Sequence, residues 1–389
     1  NIESLGSRLI FRAGDACDEL KKLIKETGAE ALYFNRDYDP YGVEMEGRVR
    51  ALCDDLGTDC RDFKDRVLHE PDEVLTGEGN GYKVYTPYSK NWLDQEKPEP
   101  LPRVKSLGSP AAKSLSSLPV PTLDHWKLSG DTSGVIEPGE RAARKRMKDF
   151  IESETLFHYA KQRDIPSAQG TSRLSQDLRF GLIGIRELYQ RCRETAKGAP
   201  KAAKNSVETY IKELAWREFY LAILYHHPNV FDEEFNPDYR GMPWPGSDAQ
   251  YKAWCQGRTG FPIVDAGMRE LLHTGFMHNR VRMIVSMFLT KDLHCHWRQG
   301  ESFFMQHLVD GENASNNGGW QWSAGTGADA APYFRIQNPW TQTKTYDPEG
   351  DYIRQWVPEL KDVPAKHFQS PPKDGSSLAK DYPPPIVDH

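Results

Sequence analysis

The segment DGENASNNGGWQW, from Asp310 to Trp322, combines two acidic residues, three asparagines, two adjacent glycines and two tryptophans. Gly318 and Gly319 permit backbone conformations or close approaches that a Cβ atom would prevent. Asparagine amides both donate and accept hydrogen bonds, and indole rings offer large flat surfaces. An ordinary turn rarely places Trp-Gln-Trp directly after such residues. The combination therefore favours a site for a planar, hydrogen-bonding ligand over a plain core segment.

The most regular helical pattern lies upstream, at residues 205–227. Asn205 with Glu208 resembles a capping box, and Pro228 ends the helix. One face is apolar, and the opposite face is polar and aromatic at spacings typical of a helix. The apolar face carries Ile211, Ala215 and Ala222, and the polar face carries Glu213, Trp216, Arg217 and Tyr220. The polar face suits the wall of a cavity that stacks and hydrogen-bonds, with a buried polar network as the alternative.

A second helical region leads into another candidate wall. The pattern predicts a helix from Ile263 to His273, ended by Gly275, and a further helix after the tetrapeptide at 277–280 that runs to about Leu293. Asn279, Met283 and Met287 share a face of that further helix. Methionines on such a face usually fill a core. Asn279 and Arg280 beside them favour a ligand-facing wall instead.

A candidate phosphate site follows Gly170, in the segment Thr171-Ser172-Arg173-Leu174-Ser175. Hydroxyl groups, backbone amides and one arginine ahead of a helix suit a phosphate group. The alternative is an ordinary helix cap, for which Ser and Thr are common.

The N-terminal part of the chain alternates short apolar runs with helical patterns. The runs at residues 9–11 and 31–34 predict strands. Helices are predicted from Asp15 to Gly28 and from about Met45 to Gly57. This alternation indicates βαβ units on a parallel sheet. No GxGxxG sequence follows a strand, so a dinucleotide site is unsupported here.

Composition changes twice along the chain. Proline recurs among Ser, Gly and Lys in residues 94–140, as in a linker, and helical patterns dominate from Glu140 onward. We therefore predict an α/β domain at 1–93, a linker at 94–140 and an all-helical domain at 141–389. The proline-rich tail from Pro371 predicts a surface strap without chemistry of its own.

Composition also excludes several classes of protein. The 389 residues carry a net charge of −6, which argues against a uniformly basic nucleic-acid binder but leaves room for a local basic face. The six cysteines show no metal-ligand spacing, so reduced thiols, an intracellular protein and no metal site are expected. No apolar run is long enough for a membrane helix. The chain opens at Asn1, and we expect a fragment that lacks its true start.

The chain resembles the photolyase/cryptochrome family and, within it, the class I photolyases of cyclobutane pyrimidine dimers (CPDs). Ordered motifs carry the resemblance along nearly the whole chain: YFNRDYDPYG (33–42), VYTPYSKNW (84–92), YAKQRDIPSAQGTSRLS (159–175), ELAWREFY (213–220), GFPIVDAGMRELLHTGFMHNRVRM (260–283), FLTKDL (288–293), FMQHLVDGENASNNGGWQW (304–322), APYFRIQNP (331–339) and DYPPPIVDH (381–389). The resemblance implies an α/β plus all-α fold: a partial N-terminal Rossmann-like parallel α/β domain, a long linker and a C-terminal all-helical FAD-binding domain.

The resemblance implies light-dependent repair of CPDs in DNA by electron transfer from excited reduced FAD to a flipped-out dimer. The implied FAD-binding residues are Tyr159, Thr171, Ser172, Arg173, Leu174, Ser175, Arg282, Asp310, Gly311, Glu312 and Asn316, with Arg282 paired to Asp310 and Asn316 facing the flavin N5 atom. The implied dimer and DNA contacts are Arg163, Glu213, Trp216, Arg217, Tyr220, Asn279, Arg280, Met283, Trp322, Arg335 and Gln342. Glu213 and Asn316 are implied to act in catalysis. Trp320, Trp297 and Trp244 match the family's electron-transfer tryptophans, in order from flavin to surface.

Two positions depart from the family's pattern. Glu312 stands where relatives usually have Asp, and Phe276 stands where they usually have Trp; FAD affinity is the property in question. The main alternative function is that of a cryptochrome photoreceptor. Plant photoreceptors usually have Asp at the position of Asn316 and often lack the combination of Glu213, Met283 and Trp322.

The resemblance also implies partners. UV-damaged DNA is the expected partner, with no membrane association, a monomeric state and, in a prokaryote, a cytoplasmic location. A second, antenna chromophore is expected to be a deazaflavin or methenyltetrahydrofolate, and YFNRDYDPYG is closer to the deazaflavin-binding members.

Overall fold

The computed structural model describes residues 2–108, 114–330 and 335–389. These residues separate into two units by their internal contacts: one is drawn from 1–66 and 98–131, the other from 67–97 and 132–389. Residues 67–97 thus group with the helical unit, although the sequence placed 67–93 in the α/β domain and 94–97 in the linker. The domain limits 1–93, 94–140 and 141–389 stay a prediction, and residues 109–113 of the predicted linker lie outside the described residues.

The first unit contains a parallel pair of strands. Its elements in chain order are α1 (Ala16–Thr27), β1 (Ala31–Asn35), α2 (Pro40–Leu56) and β2 (Asp59–Phe63). The strands pair in register from Ala31 with Asp59 to Asn35 with Phe63. The Asp15 side chain accepts hydrogen bonds from the first turn of α1, and Gly28 ends that helix at a φ of 63°. The predicted parallel α/β arrangement is confirmed.

Two strand predictions in this unit need correction. The run Leu9–Phe11 forms no strand. The Phe11 N–H donates to Ser117 Oγ, and its carbonyl accepts from the Leu118 N–H, so the predicted linker takes the hydrogen bonds that a sheet would have used. Strand β2 was not predicted, because its sequence DCRDF is polar at three of five positions and lacks an apolar run.

The second unit is helical in the residues described. Its α-helices are α3 (Tyr85–Asp94), α4 (Glu140–Glu152), α5 (Glu154–Gln162), α6 (Ser175–Arg179), α7 (Ile185–Ala196), α8 (Lys201–His226), α9 (Asp248–Cys255), α10 (Pro262–Thr274), α11 (Asn279–Met287), α12 (Trp297–His307), α13 (Asn313–Ala324), α14 (Pro339–Tyr346) and α15 (Asp351–Trp356). A π-helical turn, Phe288–Asp292, extends α11. Among the described residues no helix is long and apolar enough to span a bilayer.

Helix α8 packs against α3, α5, α7 and α13 and starts earlier than predicted. It begins at Lys201 after Pro200, so the proposed capping box of Asn205 and Glu208 is wrong. The segment Lys201–Lys204 is rich in helix formers, which extends the helix by one turn. The predicted apolar face is confirmed: Ile211, Ala215 and Ala222 are all buried.

Helix α13 contains most of the Asp310–Trp322 segment, and its glycines explain how it packs. A Cβ atom on Gly318 would lie 2.1 Å from Cδ1 of Tyr220 on α8, whereas a Cβ on Gly319 would meet nothing within 4 Å. On the facing helix α12, a Cβ on Gly300 would lie 2.0 Å from Cη2 of Trp320. Close approach, and not unusual backbone angles, is what requires glycine at positions 318 and 300.

The proline-rich tail is attached to α10 at several points. The Tyr382 hydroxyl donates to Oδ2 of the buried Asp265, and the Ile386 N–H donates to the Thr259 carbonyl. Gly260, at a φ of 79°, lies directly against Pro384. The tail therefore forms part of the packing around the start of α10.

Candidate functional site

A charged network joins α8, the end of α5 and α11. The Arg163 guanidinium forms an ion pair with the Glu213 carboxylate. Asp164 accepts a hydrogen bond from Arg280 Nη2 at 2.9 Å, and Arg163 Nε lies 3.9 Å from the same carboxylate. We call these four residues, Arg163, Asp164, Glu213 and Arg280, the Glu213 wall. The wall brings together three residues that the sequence predicts for substrate or DNA contact.

Two opposing effects act on the pKa of the Glu213 carboxylate. Burial raises its pKa above the ordinary value, and the Arg163 cation opposes that rise. The side chain keeps 28% of its surface exposed, so it stays open to a ligand. A carboxyl group in this setting is easier to protonate than one in water, and in its protonated form it donates a hydrogen bond.

Helix α11 presents its side chains from a well-fixed N-terminus. His278 Nδ1 accepts the Arg280 N–H, and burial lowers the pKa of His278 to about 4, so the cap is neutral near pH 7. The Arg280 guanidinium lies 4.4 Å from the centre of the Tyr346 ring, and its Nη1 lies 3.7 Å from the Met283 sulfur. Arg280 and Met283 are therefore adjacent, and Asn279 is the first residue of the same helix.

Aromatic rings line α8 next to the wall. Trp216 stacks on Tyr85 with ring centres 3.6 Å apart and nearly parallel planes, and Tyr220 lies 5.6 Å from Trp216. Tyr85 thus covers one face of the Trp216 indole, which leaves only the other face for a ligand ring. Tyr85 was missed in the sequence, because nothing in VYTPY indicates that this tyrosine packs against Trp216.

A cavity of about 1010 Å³ lies beside Trp322. Arg335 also lines it, and the Arg335 guanidinium is 5.8 Å from the Trp322 ring. Among the described residues the lining continues to Trp244 and does not reach Glu213 or Trp216. Trp322 and Arg335 thus line this cavity, whereas Glu213 and Trp216 do not. We base the site on the wall, where a carboxylate and aromatic rings converge.

A second polar cluster lies on the other side of α11. Arg282 Nη2 contacts both carboxylate oxygens of Asp310, at 2.9 and 3.1 Å, and the Ser175 hydroxyl donates to the same carboxylate at 2.7 Å. We call these three residues, Ser175, Arg282 and Asp310, the Asp310 cluster. Arg282 Nε also donates to the Met277 carbonyl, which fixes its guanidinium.

The Thr171–Ser175 segment has an unusual centre. Arg173 has a φ of 53°, and its guanidinium lies 3.5 Å from the centre of the Phe276 ring. Burial lowers the pKa of Arg173, and its buried Nε finds no hydrogen-bond acceptor among the described residues. A buried cationic donor without an acceptor fits an anionic ligand such as a phosphate group. The environment of Arg173 therefore fits the phosphates of FAD.

The remaining predicted cofactor residues lie either next to Asp310 in the sequence or within the packed interior. Ser315 donates to Glu312 at 2.8 Å, Arg217 Nη2 lies 3.6 Å from the other Glu312 oxygen, and Arg179 donates to the Gly311 carbonyl. Arg217, predicted as a substrate contact, thus faces Glu312 and not the Glu213 wall. In the Thr171–Ser175 segment, Leu174 is buried, and Thr171 and Ser172 are partly buried. The Tyr159 ring packs against Phe150 and Tyr210. The Asn316 side chain donates to the Glu301 carbonyl at 3.0 Å.

The three candidate electron-transfer tryptophans differ in environment. Trp320 is buried, 5.0 Å from Phe304 and 6.0 Å from Trp254. Trp297 is buried and donates its indole N–H to Glu234 at 3.0 Å. Trp244 is partly buried. All three belong to one hydrophobic core or pack against it.

Two predicted DNA contacts lie toward the C-terminus of this unit. Arg335 is exposed, and Gln342 is partly exposed on α14. Residues 331–334 of the motif APYFRIQNP lie outside the described residues. The roles of Arg335 and Gln342 stay predictions.

The sequence of this chain was compared with family models and with known proteins. The FAD binding domain of DNA photolyase matches residues 210–389, and the DNA photolyase domain matches residues 1–105. The deoxyribodipyrimidine photo-lyase of Synechococcus sp. is 42% identical over all of this chain and 81% of its own length. That of Escherichia coli is 40% identical over 99% of this chain and 82% of its own length.

Solved structures agree with the sequence relatives. A class III photolyase from Agrobacterium tumefaciens superposes with a TM-score of 0.91 at 39% identity, over all of this chain and 82% of its own. A photolyase from Sulfolobus tokodaii with two FAD molecules gives 0.83 at 32% identity, over 100% and 82%. A cryptochrome from Synechocystis sp. gives 0.89 at 27% identity, over 100% and 83%. The chain belongs to the DNA photolyase family and carries its FAD-binding domain.

Proposed function

We propose that this protein repairs cyclobutane pyrimidine dimers in DNA under light, as a deoxyribodipyrimidine photo-lyase with FAD as its cofactor. One observation carries the proposal. Arg280 and Arg282 are two residues apart on α11, so they point to nearly opposite sides of the helix. Arg280 belongs to the Glu213 wall, and Arg282 belongs to the Asp310 cluster. A single helix thus links a substrate wall to a cofactor cluster.

The Glu213 wall supplies what a flipped-out dimer needs. Photolyases are themselves an example of the base-flipping principle, in which taking a base out of the duplex costs a few kcal/mol, least for a damaged base. Stacking on an aromatic ring returns about 1–3 kcal/mol per base, and Trp216 and Trp322 are the rings we assign. Glu213 hydrogen-bonds the damaged bases, Met283 packs the dimer, and Asn279 and Tyr220 complete the pocket.

The Asp310 cluster and the Thr171–Ser175 segment hold the cofactor. Arg173 and the hydroxyls of its segment bind the phosphates, and Arg282 and Asp310 fix the edge of the site. When bound, reduced FAD supplies the electron that light moves to the dimer. The residues of this chain bind and orient both partners and exclude water between them.

The three tryptophans serve a separate step, the light-driven reduction of the cofactor before repair. Indoles are easily oxidised, and we assign the order Trp320, Trp297, Trp244 from the cofactor to the surface. Repair itself does not use this relay, because its electron comes from the reduced cofactor.

UV-damaged DNA is the partner that the relatives' names support. We further propose that the protein binds DNA as a monomer within the cell, with Arg163, Arg335 and Gln342 at the DNA backbone. We also propose a second chromophore, a deazaflavin or methenyltetrahydrofolate. The structure from Sulfolobus tokodaii, which holds two FAD molecules, supports a second pigment site in this family.

The likeness to a Synechocystis cryptochrome keeps a photoreceptor as the second candidate. Repair is favoured because the Glu213 wall contains both Glu213 and Arg280, and Arg280 contacts Met283, so that the two predicted substrate contacts belong to one network. The test is direct. Purified protein with FAD is mixed with irradiated oligothymidine, and thymine absorbance is followed in blue light and in darkness. We expect recovery in light alone; no recovery from the fully reduced protein would favour the photoreceptor.

A further inference from the structure

An imidazole ring lies next to two of the tryptophans assigned to the relay. The centre of the His296 ring is 5.2 Å from that of Trp244 and 5.8 Å from that of Trp297, with interplanar angles of 39° in both pairs. Trp297 is buried in the core, and Trp244 is only partly buried. His296 therefore contacts both the middle and the outer member of the relay.

The His296 ring is held in place by the backbone of α12. It caps this helix, and its Nδ1 accepts the Arg298 N–H at 3.2 Å. In the neutral ring the proton is then on Nε2, since Nδ1 is the acceptor. A cap of this kind restricts the ring to one orientation while it stays in contact with both indoles.

The surroundings keep this imidazole neutral near pH 7. Burial lowers its pKa, the Glu234 carboxylate opposes that effect, and the Arg298 guanidinium adds to it. Glu234 also accepts the Trp297 indole N–H at 3.0 Å, and Arg298 is bound to Asp232 at 3.1 Å. The charged groups that act on the ring are thus Glu234 and Arg298, and both are held by other partners.

We propose that His296 is a positioning residue for cofactor photoreduction: its neutral ring couples Trp297 to Trp244, and its protonated ring blocks the transfer of positive charge between them. The inference rests on the relay assigned above. In the step concerned, one electron leaves Trp244 and fills the vacancy on oxidised Trp297, and no bond is made or broken. An external thiol then reduces Trp244. A cationic imidazole in contact with both indoles opposes the arrival of positive charge at either one.

Two substitutions separate the ring from the cap. His296→Asn keeps a side chain that caps helices well but removes the ring. His296→Phe keeps a ring but cannot be protonated. Oxidised protein with FAD is illuminated with dithiothreitol between pH 5 and pH 8, and flavin reduction and the indole radical are followed by absorption.

The wild type should lose photoreduction as the pH falls through the His296 pKa. His296→Asn should be at least tenfold slower at every pH, and His296→Phe should be as fast as the wild type at pH 8 and independent of pH. A wild-type rate in His296→Asn, or an unchanged pH profile in His296→Phe, overturns the proposal.

Two further measurements distinguish this failure from failure of the relay or of repair. Trp244→Phe should also slow photoreduction; a wild-type rate there, with a slow His296→Asn, would remove Trp244 from the relay and overturn the bridging role. Reduced with dithionite, His296→Asn should split dimers at the wild-type rate. Loss of repair in the reduced variant would mean that the substitution damages the site itself, which contradicts a role confined to photoreduction.

Discussion

At the scale of single residues, the role proposed for the Glu213 carboxylate can be tested by how tightly damaged DNA is bound. Glu213→Ala should weaken binding of irradiated oligothymidine roughly tenfold or more, because a hydrogen bond to a charged group contributes about 1.5–3 kcal/mol. Repair per absorbed photon should fall as well. FAD should stay bound, since the contacts found for Glu213 are with Arg163 and not with the Asp310 cluster. Binding is measured by titration and FAD by its absorbance.

The control for this variant lies on the same helix. Glu208 is exposed on α8, one and a half turns from Glu213. Glu208→Ala removes an equal charge and should leave binding and repair unchanged. Equal effects of the two substitutions would mean that net charge, and not the site, explains the loss.

The relay makes a second prediction at this scale. Trp320→Phe keeps an aromatic ring but removes the easily oxidised indole. We expect FAD binding with little or no photoreduction in the presence of thiol, and normal repair after reduction with dithionite. Trp340→Phe, a buried tryptophan on α14, is the control and should photoreduce normally. A wild-type rate in Trp320→Phe would show that another residue is the first donor.

The family resemblance and the helical spacing predicted some neighbours and not others. Arg282 and Asp310 do lie in contact, and the helical spacing of Glu213, Trp216 and Tyr220 does place them along α8. Tyr85 and His296 could not be found in this way, because the contacts of Tyr85 with Trp216 and of His296 with Trp244 come from tertiary packing. Arg217 shows the same limit: helical spacing put it beside Glu213, but its length and charge carry it to Glu312.

At the scale of elements, the contact between α8 and α13 depends on one glycine. Gly318→Ala should lower the free energy of unfolding by about 1–3 kcal/mol, because its Cβ would overlap Tyr220 and overpacking costs that much. Gly319→Ala is the matched control. It meets open space and should stabilise the helix by about 0.5–1 kcal/mol. Urea unfolding of the FAD-free protein measures both, and equal destabilisation would show that helix spacing is not the cause.

Helix and strand predictions succeeded where local signals were complete. Helix α1 has an Asp cap and a Gly stop, and both act as the sequence indicates. Strand β2 was not predicted, because it is stabilised by pairing with β1 and its own polar sequence gives no strand signal. The predicted start of α8 was wrong because the residues upstream of Asn205 favour a helix, so the helix continues past the plausible cap at Asn205.

At the scale of the whole molecule, a net charge of −6 must be reconciled with DNA binding. We expect damage-specific binding that weakens as salt rises, because phosphate contacts release counterions wherever local arginines make them. Arg335→Ala should lower the salt slope by about one unit. Arg61→Ala removes an exposed arginine of the first unit and should leave the slope unchanged. Equal affinity for irradiated and intact duplex would contradict repair.

The tail that binds α10 has a consequence for synthesis on the ribosome. Asp265 and Tyr382 are 117 positions apart, so the carboxylate is synthesised long before the hydroxyl that donates a hydrogen bond to it. At about 5–20 residues per second, the delay is roughly 6–23 s. During that interval the start of α10 lacks its cover of Pro384 and Ile386. The packing around the start of α10 therefore stays incomplete in the nascent chain until the residues of this tail have left the exit tunnel.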